Sequence, residues 1–134
     1  MKKQFFLIAF CVLTVVFATQ SVIGHMKALT GPLFEWDSTI YDFGTIEQNK
    51  PAEHVFHFTN NGDVPLVISN AKASCGCTVA NYTKEPIAPG AKGFVSARYN
   101  AAKVGAFTKT VTVTANTGEE AIVLTLKGEV KAAE

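Results

Sequence analysis

From residue 31 onward the apolar positions come in short runs of every second residue, broken by turn formers at intervals of roughly 8 to 15 residues. That is the rhythm of a β-sandwich. Leu33 to Trp36 with Ile40 to Phe43 reads as the first strand region, which Gly44 ends. In Glu53 to Thr59, His54, Phe56 and Phe58 alternate with Val55, His57 and Thr59, and the two phenylalanines mark the core face. Asn60-Asn61-Gly62-Asp63 is a turn, because Asn and Gly tolerate positive φ. Leu66 to Ala73 is the next strand, followed by a short one at Val79 to Tyr82 and a turn at Ile87-Ala88-Pro89-Gly90. Phe94 to Asn100 places Val95, Ala97 and Tyr99 on one face. Phe107 to Ala115 turns Val111 and Val113 inward and Thr110, Thr112 and Thr114 outward. After Asn116-Thr117-Gly118, the last strand carries Ile122, Leu124 and Leu126 on its core face. The count is about seven strands and no helix, and two packed antiparallel sheets bury one face of each. The expected domain is an all-β, immunoglobulin-like antiparallel sandwich over residues 31–131.

The first residues follow a different pattern. Lys2 and Lys3 precede an uncharged run from Phe5 to Ala18, and small residues follow. This is the layout of a secretory signal peptide, assigned to 1–24. A retained anchor would need about 20 strongly apolar residues, and Thr14, Thr19, Gln20 and Ser21 dilute this stretch. Cys11 lies mid-run behind Phe10, where lipidation would require a small residue, so it leaves with the leader. The expected product is exported to the periplasm or beyond, with no membrane span once the leader is removed.

Composition narrows the chemistry further. With 12 basic and 11 acidic residues in 134, no basic stripe supports nucleic-acid binding. No Gly-x-Ser-x-Gly, phosphate-cradling glycine loop or calcium loop occurs. The chemically loaded motif is Ser74-Cys75-Gly76-Cys77-Thr78.

Around that motif the chain becomes familiar. It is preceded by Tyr41-Asp42-Phe43-Gly44-Thr45-Ile46, His54-Val55-Phe56-His57-Phe58-Thr59-Asn60-Asn61-Gly62 and Pro65-Leu66-Val67-Ile68. Pro86-Ile87-Ala88-Pro89-Gly90, Gly105-Ala106-Phe107 and Thr114-Ala115-Asn116 follow it. The series resembles the secreted bacterial family known as domain of unknown function 1573, whose most specific mark is the Ser-Cys-Gly-Cys-Thr run. Members look related to immunoglobulin-like domains of the major sperm protein and cilia-associated type. The resemblance implies a seven-stranded sandwich and an envelope location, and it brings no established activity.

A Cys75–Cys77 disulfide would close a loop of three residues, worth roughly 1.6 kcal/mol before strain against about 3 for a 15-residue loop. Export makes oxidation the default, and Gly76 gives the backbone the freedom a tight ring needs. Three readings stay open: an idle oxidised turn, thiol–disulfide exchange through Cys75, Gly76 and Cys77, and soft-metal binding of Cu(I) or Zn(II). Exchange requires a lowered thiol pKa and access, and Lys72 and Lys84 are charged candidates to supply the first. Metal binding suits paired ligands on one face of an extended segment, with His57 as a weak third ligand, although zinc usually takes four. His54 and His57 are three apart and fall on opposite faces of one strand. His25 sits near the mature N-terminus. Asp37, Asp42 and Glu47 read as a solvated face. Trp36, Tyr82 and Tyr99 are candidates for a ligand surface, with the core as the alternative for Trp36. Asn81-Tyr82-Thr83 fits a glycosylation sequon that a bacterial-type leader makes idle.

The expected function is a non-enzymatic interaction or structural module of the bacterial cell envelope. It needs no cofactor, and its partner is another envelope or extracellular protein. The alternative is a thiol–disulfide or Cu/Zn-handling protein acting through Cys75 and Cys77.

Overall fold

In the computed structural model, which describes residues 31–134, each alternating run forms a strand. The leader expected over 1–24, with Cys11, and His25 beyond it lie outside the described residues. The strands are β1 (Phe34–Trp36), β2 (Ile40–Glu47), β3 (Ala52–Asn60), β4 (Ile68–Ala73), β5 (Thr78–Tyr82), β6 (Lys92–Tyr99), β7 (Gly105–Ala115) and β8 (Ile122–Lys131). They make two four-stranded sheets, ordered β1-β3-β6-β5 and β2-β8-β7-β4. The fold class is the expected all-β sandwich, with no helix among the described residues.

Three details of the first strand region differ from the sequence reading, each for a local reason. The first strand region splits in two, which raises the count from about seven to eight. At the split the Ser38 hydroxyl donates to the Ile40 carbonyl (2.8 Å) and accepts from the Ile40 amide (3.3 Å). This pinch sends the chain from one sheet to the other. The sheets are not wholly antiparallel, because β2 runs parallel to β8, from Ile40 opposite Thr125 to Glu47 opposite Lys131. Alternation reports which face a residue occupies and says nothing of strand direction. Gly44 does not end the strand. It holds φ at 64° within β2, where the register shifts between Asp42 and Thr45, and the Asp42 carboxylate caps its amide at 2.8 Å. A glycine in a strand is as consistent with a bulge as with a stop.

The core fills the space between the sheets. Phe56 and Phe58 of β3, Val95 and Ala97 of β6, Val111 and Val113 of β7, and Leu124 and Leu126 of β8 are all buried, as their alternation requires. Ile122 packs against this cluster while partly exposed. Phe58 presses so close to β6 that a Cβ on Gly93 would meet its ring at 2.5 Å. Leu66 and Ile87 lie outside the strands, yet exchange two backbone hydrogen bonds of 2.8 Å and seat both side chains in the core. A second, smaller cluster of Tyr99, Ala101, Phe107 and Val130 fills one end of the sandwich, and Cys77 packs partly against it.

Candidate functional site

The cysteine motif is the strap by which the chain leaves β4, an edge strand of one sheet, and enters β5, an edge strand of the other. Ser74 continues the β4–β7 ladder: its amide donates to the Thr110 carbonyl at 2.9 Å, and its hydroxyl accepts from the Thr110 amide at 3.2 Å. Past Ser74 the chain turns. The Thr78 amide donates to the Cys75 carbonyl (3.4 Å), and the Asn100 amide donates to the Cys77 carbonyl (3.0 Å). Cys75 and Cys77 are joined as a disulfide across Gly76, with their Cα atoms 5.3 Å apart. Both cysteines are half-buried, and Gly76 between them is exposed.

The two sulfurs have different surroundings. Cys75 Sγ lies 3.8 Å from the hydroxyl of buried Thr78. A bonded sulfur has no proton, so the hydroxyl is the donor. Cys77 faces the small core on one side and on the other lines an open cleft of about 320 Å³ with Pro51, Gly76, Val79, Arg98 and Asn100. Arg98 is the charged member of that lining.

Among the described residues no strand pairs with the outer edge of β5. The Asn100–Cys77 and Thr83–Phe94 backbone bonds fix which residues of this segment bond to β6. In antiparallel pairing the bonding residues alternate, so the amides and carbonyls of Ala80 and Tyr82 point away from β6. Val79, on the outer face beside them, is 68% exposed.

The other sequence candidates do not gather here. His57 is exposed on the outer face of β3, as its offset from Phe56 and Phe58 predicts. Thr78 is level with Tyr99 and Ala52 across the sheet, and His57 lies five residues further along β3. At about 3.3 Å per residue that is roughly 17 Å, so the structure does not bring His57 to the cysteines. No cluster of three or more potential metal ligands occurs among the described residues. His54 faces inward and stacks on Tyr41 of β2 at 3.7 Å between ring centroids. Burial and then the neighbouring charge of His57 hold its pKa below the usual 6.5. Asp42 pairs with Lys127 at 3.8 Å and Glu47 with Lys50, both at the surface, so the early carboxylates form no common site. Tyr99 is buried against Phe107 in the small core, and Trp36 packs on Phe34 and Phe58. Tyr82 is half-buried; its ring lies under the Lys84 ammonium, and its hydroxyl donates to the Ser69 carbonyl (3.3 Å). Lys84 is therefore committed to an aromatic face. Lys109, which alternation alone reads as interior to β7, has its ammonium 5.9 Å from the Tyr99 ring.

Sequence reasoning missed Asn60. It reads as a turn former, yet it is fully buried. Its side-chain amide donates to the carbonyls of Val64 (2.8 Å) and Ile87 (2.9 Å), and its oxygen accepts from the amides of Gly62 (3.0 Å) and Leu33 (3.3 Å). The one available signal was its position, two residues beyond Phe58 on the inward side of the alternation.

Two four-stranded sheets in this order, joined at one edge by a cysteine strap, make an immunoglobulin-like β-sandwich. The chain belongs to the family described as protein of unknown function (DUF1573), whose model matches residues 34–130. Among solved structures it is similar to a protein of unknown function from Porphyromonas gingivalis W83 (TM-score 0.66, 16% identity, 80% of this chain and 50% of that one). It is also similar to the ASH/PapD-like domain 7 of human CEP192 (TM-score 0.65, 12% identity, 78% and 89%) and to the VesB protease of Vibrio cholerae (TM-score 0.58, 13% identity, 72% and 31%). The chain thus spans half of the first protein and under a third of the protease. At these identities the likeness shows the fold alone. Among curated proteins, no sequence matches this chain.

Proposed function

We propose that this chain is an exported, non-enzymatic immunoglobulin-like module of the bacterial cell envelope that engages another protein by adding a strand of that partner to the free edge of β5. The leader pattern of Lys2, Lys3 and the Phe5–Ala18 run supports export. The immunoglobulin-like sandwich supports a binding module in that it presents sheet edges to which a partner strand can add.

The observation that carries the reading is the undefended state of β5. Sheet edges are natural templates for unwanted pairing, and proteins blunt them by shortness, bulges, proline or charge. Of the four edge strands among the described residues, three carry such devices. β1 is 3 residues long. β2 is charged at Asp42 and shifts register between Asp42 and Thr45. β4 carries Lys72 and shifts register between Ile68 and Asn70. β5, Thr78-Val79-Ala80-Asn81-Tyr82, has none: it is uncharged, free of proline and in unbroken register with β6. An edge left open in this way is suited to a partner strand.

The test is site-specific photo-crosslinking in the producing cell, with the reactive residue at Val79 or, as a control, at Val123, which is 50% exposed on the other sheet. The reading predicts a discrete adduct from Val79 that disappears in Ala80→Pro, because proline removes an outward amide without touching the β5–β6 ladder. Equal adducts from both positions, or none from Val79, would contradict it.

A further inference from the structure

We infer that Cys75 and Cys77 are a reversible thiol–disulfide pair, exchanging electrons with a protein dithiol that approaches Cys77 from the cleft beside Arg98. Four observations carry this. The bond spans a sequence separation of 2, so it constrains the unfolded chain very little and is a poor staple. The strap does not need it: the contacts of Ser74 with Thr110, of Thr78 with Cys75 and of Asn100 with Cys77 use backbone atoms and the Ser74 hydroxyl, and no sulfur. Reduction therefore leaves the strap backbone in place and keeps the two thiols neighbours, able to close again. Cys77 lines the open cleft of about 320 Å³, and Arg98 in the same lining contributes positive charge that favours an incoming thiolate. Cys75 has the Thr78 hydroxyl 3.8 Å from its sulfur, a donor placed to steady a leaving thiolate.

These positions set the order of events. A thiolate of the partner attacks Sγ of Cys77, forming a mixed disulfide. The Cys75–Cys77 bond breaks, its electron pair goes to Cys75 Sγ, and that thiolate takes a proton from solvent. The partner's second thiolate then attacks its own sulfur in the mixed disulfide, and Cys77 leaves as a thiolate and is protonated. Two electrons and, through solvent, two protons pass from the partner's dithiol to the pair; the reverse sequence reoxidises it. Without Cys75 there is no bond for the dithiol to attack, and only the reverse direction begins: the Cys77 thiolate attacks a partner disulfide, displaces one of its thiolates and stops at a mixed disulfide.

The test uses the purified mature protein in glutathione buffers, with thiols trapped by alkylation and read by intact mass. Glutathione needs no docked strand, so failure here leaves the reading of the β5 edge standing, and the converse holds. The pair is expected to become fully reduced while the β-sheet circular dichroism spectrum is unchanged. Cys75→Ser is expected to take up glutathione on Cys77 about tenfold faster than Cys77→Ser takes it up on Cys75, because Cys77 and not Cys75 lines the cleft with Arg98. Cys75→Ala and Cys77→Ala serve as a second pair should either serine variant lose its spectrum. Reduction that occurs only together with unfolding would overturn the proposal. Equal uptake by the two single variants would overturn the assignment of Cys77 as the attacked sulfur.

Discussion

Two polar side chains, Asn60 fully buried and His54 partly so, show how much a single position can carry. Asn60 satisfies two carbonyls and two amides in a place that water does not reach. Asn60→Ala strands those groups, and a cost of about 2–4 kcal/mol in urea unfolding is expected, against less than about 0.5 kcal/mol for exposed Asn61→Ala. His54 makes a second prediction. Folding lowers its pKa below the 6.5 of the open chain, through burial and then His57. Between those two values the unfolded state binds more protons, so stability is complete above pH 6.5 and is lost as pH falls through the window. Unfolding midpoints at pH 7.5 and 5.5 should diverge more for the native protein than for His54→Phe; equal divergence would remove His54 as the cause. Neither role was legible in the sequence. An asparagine beside Asn-Gly reads as a turn, and the Tyr41–His54 stack joins residues of different sheets, a pairing that alternation along one strand does not encode.

At the scale of elements, the sequence was most readable where one face of a strand is wholly buried. The alternation in β3, β6, β7 and β8 named Phe56, Phe58, Val95, Ala97, Tyr99, Val111, Val113, Leu124 and Leu126, and all are buried. It failed at the edges. β2 has no fully buried residue, so its pattern carries no phase, and its bulge at Gly44 imitates a strand end. The beginning of β4 failed differently: Leu66 is buried through a bridge to Ile87 and not through the ladder. The edge position of β5 among the described strands was also out of reach, since which strand is outermost depends on the strand order of the sheet. The site was legible in part. The Cys75-Gly76-Cys77 motif announced itself, but the cleft with Arg98 and the Thr78 contact exist only once β5 is paired with β6.

For the whole molecule, stability resides in the packed sheets and not in the cysteine strap. Deleting a fully buried phenylalanine removes apolar contact and leaves a cavity, so Phe58→Ala should cost about 3–5 kcal/mol. The combined Cys75→Ser and Cys77→Ser variant should cost less than about 1.6 kcal/mol, the limit set by so short a loop. Paired denaturation curves check the order of the two; a cysteine variant less stable than Phe58→Ala would make the strap structural. On the proposal above, the sandwich keeps its shape without this bond, and the corner and the edge beside it serve exchange and recognition.

That claim is tested most directly by residue-resolved amide hydrogen exchange of the protein in its oxidised and reduced forms. The account predicts rapid exchange at Ala80 and Tyr82, whose amides face away from β6, slow exchange at Val79 and Asn81, and the same pattern in both forms. Slow exchange at all four would mean the edge is already covered. Loss of protection at Val79 and Asn81 on reduction would mean that the disulfide holds β5 in place.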